Sequence, residues 1–327
     1  RCRCYLQRRG WSIRNNIKQK LNLKHFFYFF FLFSGSLFAQ EAHILFNRLN
    51  MSVFNPAFTG TNGAFISLNS RSQWTGVSEA PRTNYLVYNL PKKERVRLGF
   101  SAQNDRVFIE NKTRLNIDYN YEIQLNQEQF LYLGLKGGGF YNSIDTNQLQ
   151  RIYTSYNPAL ASVESYFTPI LGVGIQLKTP IYFLGIGVPS LFKNKRFQDN
   201  AGWETTATDH AYLYFSGGMN VAINQILSLD PVIVYRAVPN SPNLFMGTIA
   251  LNYKEIFSFG GGYSTNNNLA FFIRSKSVQG IDFGYGYEFM NRGDSTAIQG
   301  GTHEFVVRFK FAEKEEEEES PRKDGYD

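Results

Sequence analysis

The stretch Thr113–Leu125, TRLNIDYNYEIQL, alternates apolar and polar side chains along its whole length. One face carries only apolar and aromatic residues: Leu115, Ile117, Tyr119, Tyr121, Ile123 and Leu125. A repeat of two residues is the repeat of a β-strand and not of a helix. The strand is also long, because strands in soluble sheets usually have about 5–6 residues. One such strand fits a soluble sheet with its apolar face on a core or a membrane barrel with its apolar face on lipid, so the array of strands must decide between them.

The same alternation recurs through residues 64–311 and predicts about fourteen strands. The predicted strands are 64–74, 83–90, 95–103, 113–125, 130–140, 167–178, 181–188, 210–222, 226–236, 243–253, 256–264, 269–275, 280–290 and 303–311. An even number is what single-chain bacterial barrels require. The sequence therefore predicts an all-β fold, a transmembrane antiparallel up-and-down β-barrel.

The connections between these strands alternate between short and variable. Those after even-numbered strands are tiny: Pro91–Glu94, Asn126–Gln129, Thr179-Pro180, Asn224-Gln225 and Lys254-Glu255. Those after odd-numbered strands include 141–166, 189–209 and 291–302. This alternation is typical of a barrel with short periplasmic turns and longer external loops. A soluble, secreted all-β protein is the alternative, but closure removes the edges of so large a sheet.

The N-terminal 39 residues have the features of an export leader. Lys18, Lys20 and Lys24 precede an apolar run over Phe26–Phe38, and Ala39 offers a cleavage point. The run is shorter than the roughly 20 residues that a membrane-spanning helix needs. We therefore expect residues 1–39 to be removed as a leader with a signal peptide.

The positive net charge and both cysteines of the chain are located in this leader. The formal charge of the chain is +7, and residues 1–40 hold eight Lys and Arg residues and no acid. The rest of the chain is thus close to neutral, which argues against a nucleic-acid partner. Both cysteines, Cys2 and Cys4, also lie in the leader, so the mature chain has no thiol for a disulfide or a metal.

The sequence offers no catalytic, cofactor-binding or metal-binding set. His43, His210 and His303 have no metal-ligand spacing, and there is no nucleophile elbow or phosphate-binding loop. The glycine-rich stretches Gly137–Gly139 and Gly260–Gly262 lie within alternating strands, where glycine relieves crowding or marks a bend. We predict a protein that is not an enzyme and has no cofactor.

Charged residues on the polar face of the strands are expected to point into the lumen. They are Arg71, Arg114, Asp118, Glu122, Asp282, Glu288, Glu304 and Arg308. Two interpretations remain open at this point. The charges form a hydrated, salt-bridged interior that braces the wall, or they line a conducting pore or a surface that contacts cargo.

Two segments flank the predicted barrel. Residues 40–63 are expected to be an N-terminal periplasmic segment that leads into the first strand. Residues 312–327 include five consecutive glutamates and no apolar cluster, and they predict a disordered acidic tail. Both termini of the mature chain are thus expected in the periplasm.

Several motifs together resemble those of the PorP/SprF family of outer-membrane proteins. The segment Phe54-Asn55-Pro56-Ala57-Phe58-Thr59-Gly60 resembles the family motif that follows the cleavage site. Arg71-Ser72-Gln73-Trp74 with Ala80-Pro81-Arg82-Thr83, and Leu98-Gly99-Phe100 with Asn104-Asp105, resemble its next motifs. Gly301-Thr302-His303-Glu304 is similar to the closing motif. Asn-Pro and Gly60 favour a fixed turn, and Trp74 suits a membrane–water girdle.

The resemblance implies a non-catalytic barrel of the type IX secretion and gliding-motility system. Its implied partners are outer-membrane lipid, the type IX machinery with its periplasmic ring or anchor components, and a secreted cargo with a C-terminal sorting domain. The family-motif positions are Asn55, Pro56, Gly60, Arg71, Gln73, Trp74, Pro81, His303 and Glu304. The alternative function is a general porin or a channel for hydrophobic solutes.

Overall fold

The computed structural model describes residues 45–145, 165–192, 194–195, 208–209, 211–237, 239, 243–265, 268–276, 280–290 and 300–311. The predicted leader 1–39 and acidic tail 312–327 lie outside these residues, as do most of 141–166, 189–209 and 291–302. Within the described ranges, no helix is long and apolar enough to cross a membrane.

Fourteen strands form one sheet. They are β1 Phe65–Ser72, β2 Arg82–Asn89, β3 Val96–Val107, β4 Glu110–Gln124, β5 Phe130–Ile144, β6 Tyr166–Lys178, β7 Tyr182–Val188, β8 Leu213–Met219 continued by Val221–Ala222, β9 Leu227–Ala237, β10 Leu244–Tyr253, β11 Phe257–Ser264, β12 Asn268–Lys276, β13 Ile281–Met290 and β14 Thr302–Lys310. A separate two-residue ladder pairs Asn194–Lys195 with Thr208–Asp209.

The sheet is closed, because its first strand pairs with its last. β1 and β14 are antiparallel neighbours over their whole length, from Phe65 opposite Lys310 to Ser72 opposite His303. Every other strand pairs antiparallel with the next in sequence, including β7 with β8 and β8 with β9. The predicted fold class, an antiparallel barrel of about fourteen strands, is confirmed.

The two ends of the barrel differ in their connections. At one end, here the short-turn end, the strands are joined by brief turns such as Thr179–Ile181 and Lys254–Ile256. The other end, here the long-loop end, carries the connections after odd-numbered strands. The connection between β3 and β4 is shorter than predicted, because both strands continue to a two-residue turn at Phe108 and Ile109. Residues 104–106 and 110–112 are polar on both faces, which hid this extension.

The alternation of exposed and buried side chains follows the predicted register. In β4, Ile117 is 64% exposed on the outer face, whereas the adjacent Asp118 is 1% exposed on the inner face. The outer face of the barrel is an apolar band that includes Leu135, Phe167, Leu184, Phe271 and Phe305. An apolar outer face with a mainly polar inner face is what a membrane barrel requires.

The expectation of a periplasmic segment over residues 40–63 is wrong for its described part. Leu45–Gly63, here called the plug, lies inside the barrel as three short 3₁₀ turns, Asn47–Leu49, Met51–Val53 and Pro56–Phe58. Its apolar side chains Phe46, Leu49, Met51, Phe54 and Phe58 pack with a patch of the wall formed by Tyr85, Phe183, Tyr214, Val232, Val234, Leu244, Met246 and Val306. Burial of these side chains is favourable, and this explains why the segment leaves the aqueous phase.

Candidate functional site: the plug and its seat in the lumen

The Asn55–Gly60 motif binds to the wall through the side chain of Asn55. The Asn55 amide donates to the backbone carbonyls of Ile175 and Ile186, each at 3.1 Å, on the neighbouring strands β6 and β7. Its side-chain oxygen accepts from the backbone N–H of Ala57 at 2.9 Å and caps the 3₁₀ turn that Pro56 begins. One side chain thus holds the turn and attaches it to two strands.

The wall beneath this motif consists of inward-facing glycines. We call Gly99, Gly134, Gly174, Gly185 and Gly187 the glycine groove. A Cβ atom on Gly134 would lie 2.1 Å from the Ala57 nitrogen, and one on Gly174 would lie 1.9 Å from Asn55 Oδ1. No side chain fits at these distances, so glycine lets the backbone of the plug approach the backbone of the wall.

Gly60 ends the motif in a left-handed conformation. Its φ angle is +70°, which L side chains rarely adopt, and a Cβ atom there would lie 2.8 Å from Cβ and Cδ of Arg97. The predicted fixed turn is therefore present. It returns the chain along the wall toward β1.

Backbone carbonyls along the plug accept hydrogen bonds from wall side chains. Asn120 donates to the carbonyls of Ala57 at 2.9 Å and Thr59 at 2.7 Å. Lys136, which is paired with Asp118 at 2.8 Å, donates to the carbonyl of Ser52 at 3.2 Å. Two further donors complete the set: Arg308 bonds the carbonyl of Leu49, and Lys178 bonds that of Thr61. A non-repetitive segment can be buried only if its backbone groups are satisfied in this way.

A carboxylate cluster holds the start of the plug. Glu304 accepts from the backbone N–H groups of Leu45 at 2.8 Å and Phe46 at 3.1 Å. The same carboxylate binds Arg71 at 3.0 Å, and Arg71 also binds Glu288 at 2.7 Å. All three charged side chains are fully buried. Arg71 and Glu304, which belong to two different predicted motifs, therefore contact each other where the plug begins.

The remaining motif residues lie at the long-loop end. The backbone N–H of Gln73 donates to the carbonyl of Pro81 at 2.9 Å, which closes the base of the β1–β2 connection. Trp74 follows in a left-handed conformation with φ +49°. His303 faces outward, where its Nδ1 lies 2.9 Å from the hydroxyl of Tyr285.

The match to known families covers nearly all of the described barrel. Residues 38–309 match the family described as "Type IX secretion system membrane protein PorP/SprF". The chain belongs to the PorP/SprF family. The resemblance in the sequence motifs is thereby confirmed, and the chain is a β-barrel membrane protein of this secretion system. No curated protein matches it.

Solved structures that resemble this PorP/SprF protein have low sequence identity to it. The P. putida toluene transporter TodX has a TM-score of 0.48 and 11% identity, and the alignment covers 80% of this chain and 94% of TodX. The monoaromatic hydrocarbon channel CymD has a TM-score of 0.43 and 13% identity, covering 76% and 88%. The NanC porin has a TM-score of 0.38 and 12% identity, covering 75% and 100%.

The charged residues predicted to face the lumen do so, and most of them are salt-bridged and buried instead of hydrated. Asp118, Glu122, Asp282, Glu288, Glu304 and Arg308 are buried, whereas Arg114 is half-buried and pairs with Asp105 at 2.7 Å. Several of them hold the plug. The glycine groove and Asn120 were missed, because alternation alone does not reveal what lies on the inner face. A run of glycines at inward positions on adjacent strands was the available signal.

Among the described residues, no group of three His, Cys, Asp or Glu side chains is arranged to hold a metal ion. The arrangement consists of the contacts between the plug and the wall. It fastens an N-terminal segment across the lumen by paired backbone and side-chain contacts. The site is therefore a closure of the barrel.

Proposed function

We propose that this PorP/SprF protein is a non-catalytic, closed barrel of the outer membrane that holds proteins in place instead of passing solutes. It would support the export or surface attachment of cargo, such as adhesins with a C-terminal sorting domain. Membership of a type IX secretion family supports the proposal that the protein acts in the type IX secretion system. The proposed partners are outer-membrane lipid, periplasmic ring or anchor components and the cargo; no nucleic acid is among them.

The observation that carries this proposal is the plug. Around it, wall side chains such as Asn120, Glu304 and Val234 are each 0% exposed, although they face the lumen. A conducting pore keeps its lumen-facing side chains in contact with water. Burial at this level favours a closed barrel over a general porin, whose channel is filled with water. The other alternative, a hydrophobic-solute channel, is tested by growth on single nutrients.

We place the short-turn end in the periplasm and the long-loop end outside the cell. Short turns on the periplasmic side and longer external loops are the arrangement of outer-membrane barrels. In this orientation the turns would meet the secretion machinery, and the loops would meet the cargo. Long loops of barrels commonly carry function.

Two measurements test the proposal. The mature protein is reconstituted in planar lipid bilayers and its conductance is recorded, with a plug-deleted variant lacking residues 45–63 as the matched control. We expect no stable conductance from the intact barrel and stepwise conductance from any plug-deleted barrel that folds. In cells, deletion of the gene should remove particular proteins from the surface. Stable conductance of the intact barrel, with an unchanged surface proteome and loss of growth on one nutrient, would support the porin instead.

A further inference from the structure

Four cationic side chains, one from the plug and three from the wall, lie near one another at the short-turn end of the lumen. They are Arg48, Lys178, Arg274 and Arg308, here called the cation cluster. Arg48 belongs to the plug and stacks on Phe183 at 4.5 Å, and Phe183 is the register partner of Lys178. Arg308 bonds the carbonyl of Leu49, the residue after Arg48. Arg274 lies at the same end, two residues before the end of β12.

No carboxylate within the described ranges forms an ion pair with any member of the cation cluster. Lys178 bonds the carbonyl of Thr61 and the side chain of Asn62, and Arg274 bonds Asn252 and Ser258. These partners are all neutral.

The acidic side chains nearby are bound to other residues. Asp282 pairs with Lys310 at 2.9 Å, and Glu122 pairs with Lys92 at 2.8 Å and with Arg97. Asp230 accepts from the neutral Asn220 amide at 2.7 Å, so its charge offsets only part of the positive charge of Arg48 and Arg274. The cluster therefore keeps an excess of positive charge. Arg274 and Arg308 are each more than nine-tenths buried, whereas Arg48 and Lys178 are partly exposed. Buried charges without an opposite charge are costly, so this site favours a ligand that carries several carboxylates.

We propose that the cation cluster binds the acidic tail of the same chain, residues 312–327. The tail has eight acidic and three basic residues, a net charge of −5. Without the eight charges of the leader, the chain totals −1, so the part between leader and tail has a net charge of +4. The two parts are close to complementary in charge.

The position at which the tail begins supports this occupant. β14 ends at Lys310 on the short-turn end, where Phe311 is bonded to the carbonyl of Ala64. Glu315 follows Phe311 by four residues, a reach of about 13 Å at 3.3–3.6 Å per residue. A barrel of fourteen strands has a radius of about 14 Å, given the usual strand spacing and tilt. The five glutamates from Glu315 to Glu319 can therefore extend over the mouth of the lumen.

Binding of the tail would join the two ends of the chain. Arg48 is part of the plug, whereas the tail continues β14, so the tail would secure the plug from the short-turn end. A partner with an acidic surface would then compete with the tail for the same cations. This inference rests on the closure by the plug but not on the cargo role proposed above.

The test is protection of the tail from a glutamate-specific protease in the refolded mature barrel. At low salt we expect cleavage within residues 315–319 to be about tenfold slower than in Lys178→Gln, since one charge-assisted bond supplies such a factor. The matched control is Lys254→Gln, which removes an exposed lysine of a short turn outside the cluster and should leave protection unchanged. Protection should disappear near 1 M salt, where the Debye length is about 3 Å.

Zero-length carboxyl-to-amine crosslinking with mass spectrometry provides the second readout, which does not depend on a variant that folds. We expect crosslinks within one chain between tail glutamates and Lys178. Equal cleavage rates in all variants, or crosslinks of the tail to Lys254 but not to Lys178, would overturn the proposal. Binding of a separate polyglutamate peptide to the cluster of the intact protein, without protection of its own tail, would overturn it in favour of a partner-derived acidic segment.

Discussion

Arg71 and Glu304 form a buried ion pair of 3.0 Å between the first and the last strand of the barrel, 233 positions apart in sequence. They are register partners in the ladder that closes the sheet. Glu304 also accepts the first two backbone N–H groups of the plug, those of Leu45 and Phe46. One contact therefore links closure of the barrel to closure of its lumen.

Loss of the cation in this cluster should destabilise the barrel strongly. In Arg71→Met, Glu288 and Glu304 stay buried without their arginine, and an unpartnered buried charge costs about 3–5 kcal/mol. We expect a corresponding fall in the free energy of unfolding, measured by denaturant titration of the refolded protein in lipid vesicles.

The control for this prediction is an exposed pair in the same barrel. Arg106 binds Glu79 at 3.1 Å with more than half of its side chain exposed. Arg106→Met should change the free energy of unfolding by about 1 kcal/mol or less. Equal effects at positions 71 and 106 would show that the buried cluster does not stabilise the fold as we describe.

Two glycines of β5 lie on opposite faces of the barrel wall: Gly134 faces the plug and Gly137 faces outward. A methyl group at Gly134 would meet the Ala57 nitrogen at 2.1 Å, whereas one at Gly137 would meet nothing within 4 Å. Gly134→Ala should therefore displace the plug, and Gly137→Ala should not. Limited proteolysis within residues 45–63 measures the difference, and similar cleavage of both variants would contradict the groove.

Much of the wall could be predicted from sequence, but the plug could not. Strict alternation around Ile117 and Asp118 fixes both the strand and its two faces, because a lipid-facing surface tolerates few polar residues. Phe46, Leu49 and Phe54 follow no regular period, so nothing local shows where they are buried. The pairing of Arg71 with Glu304 appears only after the sheet closes. Inward-facing glycines such as Gly174 indicate that another segment comes close to the wall, but they do not show which segment it is.

The cost of a lysine on the outer face should depend on its position along the strand. Ile117 lies within the apolar band, where a lysine costs about 2–4 kcal/mol near the membrane midplane. Asn111 is exposed on the same face of β4 but beyond that band. Ile117→Lys should impair insertion into vesicles, measured by heat-modifiable gel migration, and Asn111→Lys should insert normally. Normal insertion of both would place the apolar band elsewhere.

The Asn120 amide shows why some positions on the polar inner face do not tolerate a charged substitution. It is 0% exposed and donates to two carbonyls of the plug. We expect Asn120→Asp, nearly identical in shape, to release the plug, since a carboxylate repels the carbonyls of Ala57 and Thr59 and leaves both without a donor. Loss of each such bond in a buried site costs about 1–3 kcal/mol.

The matched variant for Asn120→Asp is Asn55→Asp, made on the plug side of the same interface. Asn55 also donates to two carbonyls, those of Ile175 and Ile186, so the same change should release the same segment. The readout for both is proteolysis within residues 45–63 together with single-channel conductance. If both variants open the lumen while the barrel still migrates as folded, the plug is a separable closure. Unfolding of the whole barrel in both would instead make the plug part of the core that the wall needs to form.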